Sequence, residues 1–167
     1  MKAIWIVSIL AAAIWSAPAS ATYCRVDTAD NTTSCIYKAD RIPKGTQIVI
    51  SYTRQGFTMM IVVFRDEFAI IEGDAKVQTK HGEPHTIKYV STRRDMVQGK
   101  MMEAAIYLVD ESVLQELGQA TGKIHFYLAN TDAKKDVDVE VAASNFDDIG
   151  AYIAETKTVL SDLFQDQ

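Results

Sequence analysis

Apolar residues recur at every second position along much of this chain, which is the pattern of β-strands with one buried face. Ile48, Ile50 and Tyr52 form the apolar side of the first such stretch. Residues 57–64 are almost wholly apolar and rich in Val, Ile and Met, so they predict a central strand covered on both faces. Another strand is predicted at residues 86–91.

Two more stretches extend the predicted sheet. Residues 69–71 and 75–79 flank Gly73-Asp74, which predicts a tight hairpin turn between two strands. A clear strand follows at residues 102–108, where two sets of side chains alternate: Met102, Ala104, Ile106 and Leu108 in one, and Glu103, Ala105 and Tyr107 in the other.

The cleanest pattern is a hairpin made of residues 124–128 and 137–141, joined by the loop 129–136. With Phe126 opposite Val139, all the apolar residues of both strands share one face. His125, Tyr127, Asp138 and Glu140 then share the other face, with His125 opposite Glu140. The residue patterns of both strands therefore assign the same side of the hairpin to the core.

Two helices are predicted after residue 108. Asp110-Glu111-Ser112 can begin a short helix whose apolar residues are Val113, Leu114 and Leu117. Ser144 caps a longer helix over residues 145–164, with apolar positions at Phe146, Ile149, Ile153, Leu160 and Leu163. The predicted fold class is α+β: an antiparallel β-sheet or small β-sandwich, with the short helix and the C-terminal amphipathic helix packed on it.

The first 21 residues have the layout of a secretory signal peptide. Lys2 precedes an apolar run at residues 4–14, and the small residues Ala19 and Ala21 indicate cleavage before Thr22. A run of this length is shorter than the roughly 20 residues that span a bilayer. We therefore expect residues 22–167 to form one soluble domain without a transmembrane segment, located in the periplasm of a bacterium or secreted.

The excess of acidic over basic residues indicates which classes of partner the chain can bind. The chain carries 22 acidic and 17 basic residues, and cleavage would remove one of the basic ones, Lys2. Because phosphate contacts require clustered Lys and Arg, this acidic balance argues against a nucleic acid partner. Nothing in the sequence indicates a cofactor.

Cys24 and Cys35 are the two cysteines of the chain. An isolated pair in an exported protein usually forms one disulfide, and the turn-rich residues between them allow two antiparallel strands that bring the thiols face to face. A redox-active pair usually has Cys-x-x-Cys spacing, which is absent here.

Four groups of residues are candidates for chemistry or binding. His81 and His85 suggest a zinc or copper site, which Met59, Met60, Met96, Met101 and Met102 would extend, although a solvated loop and core packing explain both sets. His125 with its neighbouring carboxylates suggests a general base, but no nucleophile motif accompanies it. The face formed by His125, Tyr127, Asp138 and Glu140 is the preferred binding surface, because Tyr and His are favoured at interfaces.

Arg93 and Arg94 are the fourth candidate. They lie in the basic cluster from Lys88 to Lys100, where Gln98-Gly99 indicates a loop. In an acidic domain such a cluster can receive an acidic partner or an anionic polymer, although a solvated connection explains it better.

The C-terminal part resembles the end of the invasion-associated locus B proteins, which are exported bacterial proteins rich in β-structure. The resemblance rests on the strand at residues 104–108, on Leu114 and Leu117, on the hairpin, and on Ser144-Asn145-Phe146-Asp147-Asp148-Ile149. It carries over no functional residue, and it agrees with an exported protein that is not an enzyme.

The sequence therefore favours an exported binding or accessory protein without catalytic activity, whose partner is another exported or envelope protein. Two alternatives stay open: an exported hydrolase with a site near His125, and a periplasmic protein that binds copper or zinc.

Overall fold

The computed structural model describes residues 23–27, 32–38, 46–53, 56–132 and 135–165. These residues form nine strands: β1 (Tyr23–Asp27), β2 (Thr32–Lys38), β3 (Thr46–Thr53), β4 (Gly56–Arg65), β5 (Ala75–Thr79), β6 (His85–Val97), β7 (Lys100–Leu108), β8 (Lys123–Leu128) and β9 (Val137–Ala142). Two helices, α1 (Glu111–Gln119) and α2 (Ile149–Gln165), and a 3-10 turn at Ala143–Phe146 complete the described elements. The predicted signal peptide and its cleavage point lie outside the described residues.

All the strands belong to one antiparallel sheet in the order β1-β2-β3-β4-β7-β6-β5-β8-β9. The predicted α+β class, with a short helix and a C-terminal helix, is confirmed. The apolar segment 57–64 lies in β4, between β3 and β7, so its predicted central position is also confirmed.

Both helices pack on the same side of the sheet. The α1 residues Val113, Leu114 and Leu117 are buried as predicted, together with Ile149, Tyr152 and Ile153 of α2. The hydroxyl of Tyr152 donates a hydrogen bond of 3.3 Å to the carbonyl oxygen of Ile50 and so joins α2 to β3. Gly118 lets the two helices approach closely, because a Cβ there would lie 2.7 Å from the Ile149 side chain.

The C-terminal helix begins later than predicted. In place of a helix capped by Ser144, residues Ala143–Phe146 form a 3-10 turn and α2 starts at Ile149. The buried amide of Asn145 donates to the carbonyl oxygen of Ala142 at 2.9 Å, which closes this turn, and Phe146 is fully buried beneath it. The side chains of Leu160 and Leu163 lie outside the described part.

The predicted hairpin turn at Gly73-Asp74 is wrong. Residues 69–71 do not pair with β5; Ile71 instead forms an isolated antiparallel bridge with Asn130. The strand β5 pairs with β6 on one side and with β8 on the other. The reason lies in a buried carboxylate that engages the backbone of this loop.

Glu103 of β7 is only 1% exposed and binds three donors. Its carboxylate accepts the backbone N–H of Ala69 at 2.6 Å and that of Ile71 at 3.1 Å, and Nε of Arg94 lies 3.0 Å away. Ile70, between the two bound N–H groups, has a φ of 51°, which is unfavourable for a β-branched residue. The hydrogen bonds on either side of Ile70 hold it in this strained conformation.

The hairpin of β6 and β7 is longer than the sequence predicted. Residues 92–97, expected to belong to a loop, continue β6 and pair with residues 100–105 of β7. The loop is reduced to a turn at Gln98-Gly99, where both residues have a positive φ, as tight two-residue hairpin turns require. A register shift between Tyr89 and Ser91 marks a bulge in the same strand.

The backbone register of β1 and β2 places Cys24 directly opposite Cys35. The predicted antiparallel arrangement of these two strands is therefore confirmed. Residues opposite one another in an antiparallel pair have Cα atoms about 4.5–5.5 Å apart, within the range of about 4.4–6.8 Å found for disulfides. The bond itself stays a prediction.

The two faces of β8 give a test of the register. Phe126 is fully buried, with its ring 6.3 Å from that of Phe146, so Phe126→Ala should lower the free energy of unfolding by about 3–5 kcal/mol. Tyr127→Ala, on the opposite face, should lower it by less than about 1 kcal/mol. Urea unfolding of both variants measures this. A larger loss for Tyr127→Ala than for Phe126→Ala would contradict the assigned faces.

The role of Glu103 can be tested in the same way. Glu103→Leu should destabilise the fold by about 3–5 kcal/mol, because it leaves the Arg94 guanidinium and two backbone N–H groups without their acceptor. Arg93→Leu, in the neighbouring strand β6 opposite Ala104 and with a side chain 78% exposed, is the control and should change stability by less than about 0.5 kcal/mol. Equal effects of the two substitutions would refute the proposed role of Glu103.

Candidate functional site

The hairpin of β8 and β9 has the predicted register. Phe126 pairs with Val139, His125 with Glu140, and Tyr127 with Asp138. The inward residues of both strands belong to the core, with Val137 half-buried against it. We call the outward side chains Lys123, His125, Tyr127, Asp138 and Glu140 the hairpin face.

His125 is the centre of the hairpin face. Its Nδ1 lies 3.0 Å and 3.3 Å from the two carboxylate oxygens of Asp138, and its Nε2 lies 3.7 Å from Oε2 of Glu140. The imidazole also stacks on the ring of Tyr127, with centroids 5.8 Å apart and planes inclined by 9°. The ring is therefore held on three sides while 29% of the side chain stays exposed.

Charges alternate along this face. Nζ of Lys123 lies 2.6 Å from Oε1 of Glu140, and this hydrogen bond holds the pKa of the Glu140 carboxyl below its usual value. Glu140 in turn faces His125, and His125 faces Asp138. The neighbouring strand β5 extends the face, since Gln78 pairs with His125 and Lys76 with Tyr127.

This geometry has consequences for catalysis. A His–Asp pair is one part of a general base, which also needs its second ring nitrogen aimed at a nucleophile or a substrate. Here Nε2 of His125 faces the carboxylate of Glu140 instead. The arrangement is well suited to present an aromatic surface with both hydrogen-bond donors and acceptors.

The structure does not bring Arg93 and Arg94 to the hairpin face. They lie on opposite sides of β6, and β5 separates β6 from β8. Arg93 is exposed and lies 3.7 Å from Asp95. Arg94 points to the core side, where it contacts Glu103 and, at 2.9 Å, Glu72.

Arg94 is therefore engaged within the domain. Burial alone would lower the pKa of its guanidinium, but the hydrogen bonds to Glu103 and Glu72 outweigh burial and leave that pKa raised. This cation serves to hold the loop after β4 against β6 and β7. Arg93 is the member of the pair that remains accessible to a partner.

His81 and His85, the alternative metal ligands, lie in different surroundings. Nε2 of His85 is 2.6 Å from Oε2 of Glu116, and Oε1 of Glu116 accepts a hydrogen bond of 3.0 Å from the hydroxyl of Thr79. His81 is an exposed residue of the turn between β5 and β6. Within the described ranges, no group of three or more His, Cys, Asp or Glu side chains is arranged to hold a metal ion.

Two carboxylates with structural roles were not among the candidates that the sequence analysis identified. Glu116 joins α1 to the turn after β5, and Glu103 organises the loop after β4. Glu103 could have been noticed, since it is a single carboxylate in an otherwise apolar strand. Glu116 carries no such signal, because a Glu on a short amphipathic helix is ordinary.

No helix in the described part of the chain is both long enough and apolar enough to cross a membrane. Comparison with known proteins gives no match to a protein-family model, to a curated protein or to a solved structure. The resemblance to invasion-associated locus B proteins therefore stays a prediction, and the argument for function rests on the geometry of this chain.

Proposed function

We propose that this chain is an exported protein that acts, in the periplasm or outside the cell, as a binding or accessory protein without catalytic activity. Its partner is another exported or envelope protein. The observation that carries the proposal is the hairpin face, where His125 and Tyr127 form a stacked aromatic surface fixed by two carboxylates.

The hairpin face has the composition of a binding surface. Tyr is enriched where proteins meet and contributes strongly to binding energy, since its flat ring buries a large area with few rotatable bonds. The Asp138 and Glu140 contacts reduce the freedom of the imidazole before a partner arrives, which lowers the entropy lost on binding. Lys76 and Gln78 of β5 can supply the polar rim.

The second candidate is an exported hydrolase, favoured by the 3.0 Å contact between His125 and Asp138. In that case the imidazole would have to turn its Nε2 from Glu140 towards a substrate. Glu140→Gln would weaken the competing contact and should then raise the rate of hydrolysis. For a binding protein the same substitution changes affinity alone.

Export and the disulfide can be tested together. We expect the exported protein to begin at Thr22 and to contain one bond between Cys24 and Cys35, which the opposed positions of the two residues favour. Intact mass before and after reduction measures both. Cys24→Ser should then lower the free energy of unfolding by about 2–4 kcal/mol, since the bond restricts the unfolded chain. A retained N-terminal segment, or thiols that label in the native protein, would refute the respective part.

The binding surface can be located in the exporting cell. A photo-crosslinking amino acid in place of Tyr127 should give a discrete adduct with one envelope protein. The same amino acid at the exposed α1 residue Gln119, the matched control, should give no such adduct.

Affinity measurements then quantify how much Tyr127 contributes to binding. With the crosslinked protein purified, Tyr127→Ala should weaken binding at least about tenfold, because a central Tyr typically contributes more than about 1.4 kcal/mol. Gln119→Ala should bind as the unchanged protein does. Equal adducts at both positions, or equal affinities of both variants, would rule out the hairpin face as the binding surface.

A further inference from the structure

The strand β9 is the last strand of the sheet. One of its edges pairs with β8, and no other described strand pairs with the second edge. The strand has six residues, and its register with β8 runs from Val137 to Ala142 without a bulge. An edge strand of this kind presents a row of unpaired backbone N–H and C=O groups.

The hydrogen bonds of the hairpin show which residues supply this row. The N–H of Ala143 donates to the carbonyl oxygen of Gly122 at 2.9 Å, at the end of the same register. In an antiparallel pair every second residue bonds its neighbour, so Val137, Val139 and Val141 direct their backbone groups to β8. The intervening residues Asp138, Glu140 and Ala142 therefore direct theirs to the second edge.

Two of these three residues have free backbone groups. The carbonyl oxygen of Ala142 accepts a hydrogen bond of 2.9 Å from the Asn145 amide, which closes this end of the edge. No described residue bonds the backbone N–H or C=O of Asp138 and Glu140 on that side. Both residues are exposed. The edge thus offers two N–H and two C=O groups at alternate positions, which is the spacing that another strand requires.

The side chains next to these groups are both carboxylates. Those of Asp138 and Glu140 are 41% and 45% exposed, and their contacts with His125 and Lys123 come from the β8 side. A carboxylate has about four sites that accept hydrogen bonds, so each retains acceptor capacity towards the free edge. A strand added there would place its side chains directly beside them.

This charge argues against a second copy of the chain as the added strand. In the register that joins the free groups of two copies, each Asp138 stands opposite a Glu140. Like charges directly opposite one another destabilise a strand pair. Charged side chains on an edge are a common means of preventing such pairing, and they leave the edge open to a strand of opposite charge.

We propose that an extended segment of the partner protein adds to β9 as a further antiparallel strand and carries Lys or Arg opposite Asp138 and Glu140. The inference rests on the proposed function, and it names the mode in which the partner binds. Main-chain hydrogen bonds supply affinity in strand addition, and alternate side chains supply specificity. The residues between the cations continue the apolar row of Val137, Val139 and Val141 on the core side.

Hydrogen exchange in the exported protein shows whether the edge is free. The N–H groups of Val139 and Val141 point to β8 and should exchange at least about tenfold more slowly than those of Asp138 and Glu140. NMR of the backbone amides measures each group separately. Slow exchange at Asp138 and Glu140 in the protein alone would show that the edge is already covered, which overturns the proposal.

The binding test uses a synthetic peptide of about seven residues in which Lys alternates with Val. Adding it should slow exchange at Asp138 and Glu140 by at least about tenfold. In the antiparallel register the Lys N–H groups point to β9 and the Val N–H groups point away. N-methylation of the Lys residues should therefore abolish binding, whereas N-methylation of the Val residues should change affinity by less than about threefold.

Charge variants test the recognition of the cations. A peptide with Glu in place of Lys should bind at least about tenfold more weakly, because carboxylates then stand opposite carboxylates. Asp138→Asn together with Glu140→Gln should remove this difference. Asp66→Asn is the matched control, since it neutralises a carboxyl 90% exposed after the end of β4, and it should leave both affinities unchanged.

The remaining outcomes are equally defined. The urea midpoint shows whether each variant is folded, and Asp138→Asn alone replaces the double variant if the latter unfolds. Equal binding of the two N-methylated peptides refutes strand addition. Loss of binding when Val, and not Lys, is methylated refutes the antiparallel register. A dimer in sedimentation, with Asp138 and Glu140 already protected, assigns the edge to a second copy.

Photo-crosslinking from position 127 separates this inference from the proposed function. The partner segment in the adduct is synthesised as a peptide, and protection of Asp138 and Glu140 by that peptide supports strand addition. An adduct whose peptide protects neither N–H group supports the proposed function and refutes strand addition. Without any adduct the proposed role of the hairpin face is refuted, and the peptide of Lys and Val decides strand addition by itself.

Discussion

The buried carboxylate of Glu103 is the constraint on which the middle of the sheet depends. An ionised group away from water costs several kcal/mol unless donors surround it, and here two backbone N–H groups and the Arg94 guanidinium do so. The same contacts hold the loop after β4 against β6 and β7. Because Glu103 points inward, Ala105 and Tyr107 must point inward as well. One electrostatic contact thus decides which side of β7 is the core.

The apolar outer face of β4 and β7 follows from the same register. With Tyr107 and Ala105 directed to the helices, Met102, Ile106 and Leu108 are left on the outer face, next to Met60 and Val62 of β4. The outer face of the sheet therefore has two parts of different polarity. The half formed by β8 and β9 is polar outside, and the half formed by β3, β4 and β7 is apolar outside.

The alternation of apolar and polar residues predicts the register where a single strand pairing keeps the acids out of the core. It does not predict which face is buried where apolar residues occur on both faces of a strand. This alternation predicts the register of β8 and β9, because only Phe126 opposite Val139 keeps the acids out of the core. For β7 the set Met102, Ala104, Ile106 and Leu108 is wholly apolar, whereas the set that faces the core contains Glu103, so the pattern alone does not reveal that Tyr107, and not Ile106, faces the core. The hairpin at Gly73 failed for a longer-range reason: the N–H groups of Ala69 and Ile71 are taken by a carboxylate over thirty residues away in sequence. The hairpin face could be predicted from the sequence, whereas the faces of β7 could be assigned only from the register with β4 and β6.

The hairpin face depends on an equally clear division of the sheet. Because the apolar residues of β8 and β9 belong to the core, His125, Tyr127, Asp138 and Glu140 lie on the outer side. Polar groups such as His125 and Asp138 add little net affinity but select among partners and fix their orientation. The ring of Tyr127 supplies the flat contact area that those polar groups lack, so affinity and selectivity come from neighbouring residues of one hairpin.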